Sequence, residues 1–200
     1  MLHTLIFIGR SGCGKGTQAR LFMERITKRD HEKRKILYIE SGERFRKFIR
    51  GPSFSAQLSN EIYKKDLRQP DFLAGLMWGE MLIDELAENM HLVFDGVARS
   101  EPEARMLTTA LRFYGRERVT VVYIDVRRKW SEEKLLKRGR SDDINIEKID
   151  KRLDWFDEDV LPAIKYFKSD PFYRLLTIDG EQKIEAVHRD IVAQYDYSKD

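Results

Sequence analysis

Residues Gly9 to Thr17 read Gly-Arg-Ser-Gly-Cys-Gly-Lys-Gly-Thr, directly after the apolar run Leu5-Ile6-Phe7-Ile8 and directly before a segment with helical periodicity. A strand, a glycine-rich turn and a helix in that order form a cradle for phosphate. Glycines admit positive φ, which lets successive backbone N–H groups converge on one concavity. The helix that begins near Lys15 adds its unsatisfied N-terminal donors and positive dipole end, and the Lys15 ammonium reaches outer phosphates as a mobile point charge. Ala19, Phe22, Met23 and Ile26 recur at i, i+3, i+4 and i+7, which sets the phase of that helix. The loop departs in one respect from Gly-x4-Gly-Lys-[Ser/Thr]: Gly16 follows Lys15, and the hydroxyl comes one place later, at Thr17.

Short β-branched or aromatic runs alternate with longer amphipathic stretches along the rest of the chain. Strands are predicted at Thr4–Ile8, Ile36–Ile39, Leu92–Phe94, Val119–Ile124 and Arg174–Ile178. That alternation gives a three-layer α/β sandwich, a five-stranded parallel sheet with helices on both faces. Ligands of such a sheet belong beyond the carboxyl ends of its strands, where Gly9, Glu40-Ser41, Asp95 and Asp125 all fall. The interval from Ser41 to His91 is far longer than a crossover needs, so it holds an insert. The insert is helical by pattern, with Phe45, Phe48 and Ile49 on one face, Leu58 and Ile62 on another, and Phe72, Leu73, Leu76 and Met77 on a third. Gly51-Pro52 and Gln69-Pro70 mark its breaks.

Composition excludes several classes. With 200 residues, 42% hydrophobic and 36% charged, the chain builds one domain with a real core. Its net charge of +3 comes from 37 basic residues dispersed among 34 acidic ones, so no nucleic-acid surface is expected. The single cysteine, Cys13, precludes an internal disulfide and is expected to fill space in the cradle while its backbone N–H binds. No apolar run is long enough to span a bilayer, and a cytoplasmic monomer is expected. The four histidines show no metal-ligand spacing.

With these residues in hand, the chain resembles the adenylate kinase family of nucleoside monophosphate kinases over nearly its full length. Gly9 to Gln18 is similar to the family's Gly-x-x-Gly-x-Gly-Lys-Gly-Thr-Gln, which also accounts for the displaced hydroxyl. The resemblance implies a single P-loop kinase domain of the P-loop NTPase type across residues 1–200, with a monophosphate-binding insert at about 41–72 and a very short lid at about 137–143. It implies that Gly12, Cys13, Gly14, Lys15, Gly16, Thr17, Lys134 and Arg138 bind ATP. Ser41-Gly42-Glu43-Arg44-Phe45-Arg46 resembles the family's Ser/Thr-Gly-Asp-x-x-Arg, and Asp95-Gly96-Val97-Ala98-Arg99 resembles Asp-Gly-Phe-Pro-Arg. On that basis Ser41, Gly42, Arg46, Gly96, Arg99, Glu103, Arg140 and Arg152 hold the acceptor nucleotide, and Thr17 and Asp95 serve Mg²⁺ bound with ATP. Lys15, Arg99, Arg138, Arg140 and Arg152 become the catalytic cations.

The chemistry accounts for that number of cations. Phosphoryl transfer spreads negative charge over equatorial oxygens and asks little covalent work of the protein, so positioning and electrostatic clamping carry the rate. Arginine's fixed fork binds phosphate bidentately and stays charged. Asp142-Asp143 is read as orienting the lid arginines, because adjacent side chains on a regular element do not face one ion.

Four departures from the family pattern bear on specificity. Val97-Ala98 replaces Phe-Pro, so the backbone before Arg99 is expected to differ. Glu103 stands where adenine-specific members carry Gln; as an acceptor it would suit guanine, but Ser100-x-x-Glu103 is equally a capping box for the next helix. The lid is only a loop, without cysteines for zinc. Lys134 stands where relatives place an arginine over the donor base, which weakens stacking there.

The reaction expected is transfer of the γ-phosphate of ATP to AMP, giving two ADP. Alternatives are the same reaction with GMP, CMP or UMP, or a P-loop kinase of a non-nucleotide small molecule, against which Ser41 to Arg46 argues. A nucleotide switch is disfavoured because no Asn-Lys-x-Asp base-reading tetrad occurs.

Overall fold

The computed structural model describes residues 1–65, 67–138 and 146–196. Five parallel strands run in the order β2-β3-β1-β4-β5, with β1 at Thr4–Gly9, β2 at Ile36–Glu40, β3 at His91–Asp95, β4 at Val119–Asp125 and β5 at Tyr173–Asp179. Each contains the run predicted for it, lengthened by one or two residues, because ladder pairing extends past the apolar stretch that the sequence displays. The register is continuous across the centre: Phe7 pairs Asp95 on one side and Val122 on the other.

Alternation in β1 distributes its side chains to two cores. Leu5 and Phe7 join α1 (Lys15–Arg29) and α9 (Ile184–Asp196) on one face, in a cluster with Phe22, Ile26, Val187 and Ile191. Ile6 and Ile8 join the other face, where α4 (Asp71–Glu85), α5 (Glu101–Phe113) and α8 (Leu161–Ser169) supply Trp78, Leu82, Leu107, Leu111 and Phe167. A strand buried on both faces reads as unbroken hydrophobicity, as Leu5 to Ile8 does.

The long interval after β2 folds as α2 (Ser41–Phe48), α3 (Phe54–Lys64) and α4. Ser53 caps α3, its Oγ accepting the Ala56 N–H at 3.1 Å, just past the predicted Gly51-Pro52 break. Helix α4 returns to the sheet through Trp78 and Leu82; Leu73 and Met77 are also buried, while Phe72 and Leu76 are exposed. The face predicted for this segment is thereby split: Leu73 and Met77 are buried, and the core-facing stripe is completed by Trp78 rather than by Phe72 and Leu76. Beyond β4, α6 (Arg128–Arg138) and α7 (Ile146–Trp155) pack together on a small core of Leu135, Ile149 and Leu153. A five-residue π-helical turn, Phe156–Val160, joins α7 to α8.

Candidate active site

The loop between β1 and α1 closes on itself around Lys15. The Lys15 ammonium donates to the carbonyls of Gly9 and Arg10, 2.9 Å each, and lies 3.7 Å from Cys13 Sγ. Two glycines of this turn combine a positive φ with a close neighbour. Gly9 adopts φ +153°, and a Cβ there would stand 2.5 Å from the Ile124 carbonyl oxygen. Gly12 adopts φ +85° and presses on α6, where a Cβ would lie 3.1 Å from both the Leu135 side chain and the Ser131 carbonyl oxygen. Cys13 is buried in the core beside α1, and burial pushes its thiol pKa up, so it is an inert filler in this state.

Asp95, at the tip of β3, faces the first turn of α1. Its Oδ2 would be 2.9 Å from a Cβ on Gly16, and Tyr38, on neighbouring β2, donates its hydroxyl to the same oxygen at 2.9 Å. Burial and the Asp95 carboxylate raise the Tyr38 pKa beyond any working range, so the phenol stays a donor. Thr17 lies in that same first turn of α1. Among the described residues no three His, Cys, Asp or Glu side chains gather as a metal cage. The Thr17 hydroxyl and the Asp95 carboxylate are instead hard-oxygen donors of the kind that suits a cation also held by phosphates and water.

One residue further along, the Gly96 carbonyl organises the other half of the site. Ser41 Oγ donates to it at 2.6 Å, and Arg99 Nε donates to it at 2.6 Å. Ser41 opens α2 directly after β2, so this shared carbonyl ties the insert to the β3 tip. Arg46, one turn into α2, is 3.5 Å from Glu40 Oε1 and close to Gly42, where a Cβ would meet its Nη1 at 3.1 Å. A cleft of about 570 Å³ opens in the corner between α2 and α3, lined by Arg46, Ile49, Arg50, Gln57, Asn60 and Tyr63.

Comparison with known proteins gives the family. The family model described as an AAA domain matches residues 8–150. A protein of Porphyromonas gingivalis named adenylate kinase is 34% identical over 171 residues, which cover 84% of this chain and 82% of the relative. Another of that name, from Azobacteroides pseudotrichonymphae, is 30% identical over 200 residues and 98% of each chain. A third, from Corynebacterium diphtheriae, is 28% identical over 185 residues, 92% of this chain and 94% of its own. The chain belongs to the adenylate kinase family.

Against the adenylate kinase pattern, the departures take definite form. Ala98 adopts φ +58° and is wholly buried, a left-handed conformation for which a residue with a Cβ ordinarily incurs roughly 1–2 kcal/mol. Glu103 holds that backbone in place: its Oε1 accepts the Ala98 N–H at 2.9 Å and the Trp78 indole N–H at 3.1 Å, and its Oε2 accepts the Arg99 N–H at 2.7 Å. Only 2% of Glu103 is exposed; burial raises its pKa, while the backbone donors of Arg99 and Ala98 and the Arg99 charge pull it back. Ser100 Oγ accepts the Glu103 N–H at 3.2 Å, half of a capping box whose other half reaches Ala98 and Arg99 instead of the cap residue. Of the two roles weighed for Glu103, this geometry supports the structural one.

Lys134 sits over the Trp130 ring, 4.6 Å from its centre, one turn along α6. Arg138 is the last residue of α6, exposed at its end, and Arg152 lies half-buried on α7. Arg140, with Asp142 and Asp143, lies outside the described residues. Two side chains were not legible from the motifs. Tyr38 gave only a strand-like signal, and Trp78 gave none; their polar atoms matter because the fold brings each against a carboxylate.

Proposed function

We propose that this chain is a nucleoside monophosphate kinase that moves the γ-phosphoryl group of ATP to AMP, giving two ADP. The observation that carries the reading is the pairing of adjacent strand tips: β1 ends in the Lys15 cradle, and its ladder neighbour β3 ends in Asp95 and the Gly96 carbonyl that gathers Ser41 and Arg99. Two anionic groups lying end to end would therefore meet cations from both sides. The relatives named adenylate kinase support AMP as the acceptor.

In this scheme the cradle's backbone N–H groups and the Lys15 ammonium hold the donor phosphates, and Lys15 exchanges the Gly9 and Arg10 carbonyls for phosphate oxygens. Ser41, Gly42, Gly96, Arg46 and Arg99 orient the acceptor, with Arg138, Arg140 and Arg152 closing on the transferring group. Each arginine is asked to stabilise charge that grows in the transition state, which needs no proton transfer from the protein. Thr17 and Asp95 would hold Mg²⁺ arriving with ATP, which when bound neutralises phosphate charge. The reading takes a monomer as the working unit. Glu103 is not carried forward as a reader of the base.

The deciding measurement is kcat/KM for ATP with AMP, GMP, CMP and UMP in turn. AMP is expected to lead, by up to ~10⁴-fold if the base site is built on hydrogen bonds. A preference for another monophosphate would move the acceptor assignment, and failure with all four would overturn the reading.

A further inference from the structure

Arg10 is the second residue of the cradle, and its two ends serve different parts of the molecule. Its carbonyl accepts the Lys15 ammonium at 2.9 Å and the Cys13 N–H at 3.2 Å, so it shapes the first turn of the loop. Its guanidinium pairs fork to carboxylate with Asp157 of the π-helical turn, Nη2 to Oδ1 at 2.7 Å and Nη1 to Oδ2 at 3.1 Å. The same guanidinium carbon stands 4.2 Å from the centre of the Phe156 ring, and Phe156 is itself core, stacked on Tyr123. An isolated surface ion pair fixes little. This one is bidentate, stacked on a buried aromatic ring and borne by an arginine whose side chain is only 14% exposed, the combination for which arginine is suited and lysine is not.

The pair belongs to a larger arrangement. Asp150, Asp154 and Asp157 recur at i, i+4 and i+7 and face two arginines. Arg128, at the start of α6, reaches Asp154 at 2.6 Å, Asp150 at 3.0 Å and Asp157 at 3.9 Å. Arg128 thereby clasps α6 to α7, and Arg10 ties the π turn that continues α7 to the phosphate loop. Helix α7 also carries Arg152. The π turn lets consecutive residues, Phe156 and Asp157, meet one guanidinium, by stacking and by pairing; such turns recur at functional positions.

We propose that Arg10 and Asp157 form a positioning pair for the phosphoryl donor, setting the Lys15 cradle at a defined distance from the helix that bears Arg152. The inference rests on the donor-site reading given above. Neither side chain touches the reacting atoms. Their effect is to keep cations from two separate elements in one register, and misplacement of about 1 Å at a reacting centre costs up to ~10²-fold in rate.

The test is a cycle of Arg10→Ala, Asp157→Ala and the double variant. It is read by binding of a fluorescent ATP analogue, by kcat with separate KM values for ATP and AMP, and by thermal melting. Each single variant should lower kcat about tenfold or more and weaken the analogue, leaving the KM for AMP within about twofold. The double variant should be no worse than the worse single. Arg10→Lys should not restore the rate, whereas Asp157→Glu should recover part of it. Independent, multiplying losses would overturn the proposal, as would a severe Arg10→Ala beside a silent Asp157→Ala, which would put Arg10 on phosphate directly. Losses that merely follow the melting temperature would overturn it too. A wild-type protein that fails to bind the ATP analogue would instead remove the donor-site reading, whatever the variants do.

Discussion

Tyr38 donates its hydroxyl to Asp95 across 2.9 Å, joining the ends of two neighbouring strands at the point where the phosphate cradle opens. A carboxylate aimed at a ligand needs its direction fixed by something other than the ligand, and a phenol that never ionises in the working range does this well. Tyr38→Phe should leave the fold intact and raise the Mg²⁺ concentration needed for half-maximal rate, by up to about tenfold. A Mg²⁺ titration of turnover at saturating nucleotides checks this, and an unchanged curve would make the bond a mere strand clasp.

Lys15 is held by two carbonyls of its own loop, contacts weak enough to be traded for phosphate and strong enough to keep the ammonium in place. Lys15→Met keeps most of the side chain's length and removes the charge. Transfer should fall below detection while circular dichroism and melting stay near wild type. Turnover close to wild type would exclude Lys15 from the chemistry.

Glu103→Gln separates the two roles weighed for that residue. Glutamine has one acceptor oxygen where the glutamate uses two, so an amide NH₂ would face one of the Ala98, Arg99 or Trp78 N–H groups. Leaving a buried donor opposed costs roughly 1–3 kcal/mol, visible as a melting temperature several degrees lower. The ranking of the four monophosphates should not change. A reordered ranking without loss of stability would return Glu103 to the base site.

Acid should destabilise the protein in two stages. His91 is fully buried; its Nδ1 accepts the backbone N–H of His3 at 3.0 Å and its Nε2 faces Asp30 at 3.3 Å. Burial lowers its pKa below the ordinary 6.5, the Asp30 contact opposing only in part, and burial lowers that of His188 likewise. A histidine with a depressed folded pKa binds fewer protons in the native state than in the unfolded one, so its contribution is complete above about pH 6.5 and declines as pH drops through that value. Asp30 acts at lower pH: hydrogen bonds from Arg34 hold its carboxyl far below the carboxylate range, so stability from this pair persists to about pH 4 and is then lost. The urea midpoint should be level from about pH 7 to 8, ease downward below about 6.5, and fall more steeply under about 4. His91→Gln should shrink the upper decline, and an unaltered decline would take His91 out of it.

Much of the architecture was visible in the chain because it rests on short-range chemistry. The run Leu5 to Ile8 could only be a strand covered on both faces, and Gly9 to Thr17 could only be a turn that presents backbone donors. Ser41, Asp95 and Gly96 fall at strand ends for the same reason, and a parallel sheet brings such ends together. What escaped depends on which polar atoms the fold places opposite one another. Glu103 has the same sequence neighbourhood whether it caps a loop or reads a base, and only the approach of Trp78 and the turned backbone of Ala98 separates the two. Asp157 gave no signal because its meaning comes from Arg10, 147 residues away. Phe72 and Leu76 have the right spacing for a core face, yet the rotation of α4 is set by where Trp78 and Leu82 meet the sheet.

The parallel arrangement of all five strands has a practical corollary. The Lys15 cradle, Ser41, Asp95 and Gly96 all follow the carboxyl ends of their strands and so share one rim, whereas the Gly115 turn leads into β4 at the opposite rim, away from them. A fluorophore or surface tether fixed at that turn would report on, or immobilise, a working enzyme without obstructing nucleotide traffic.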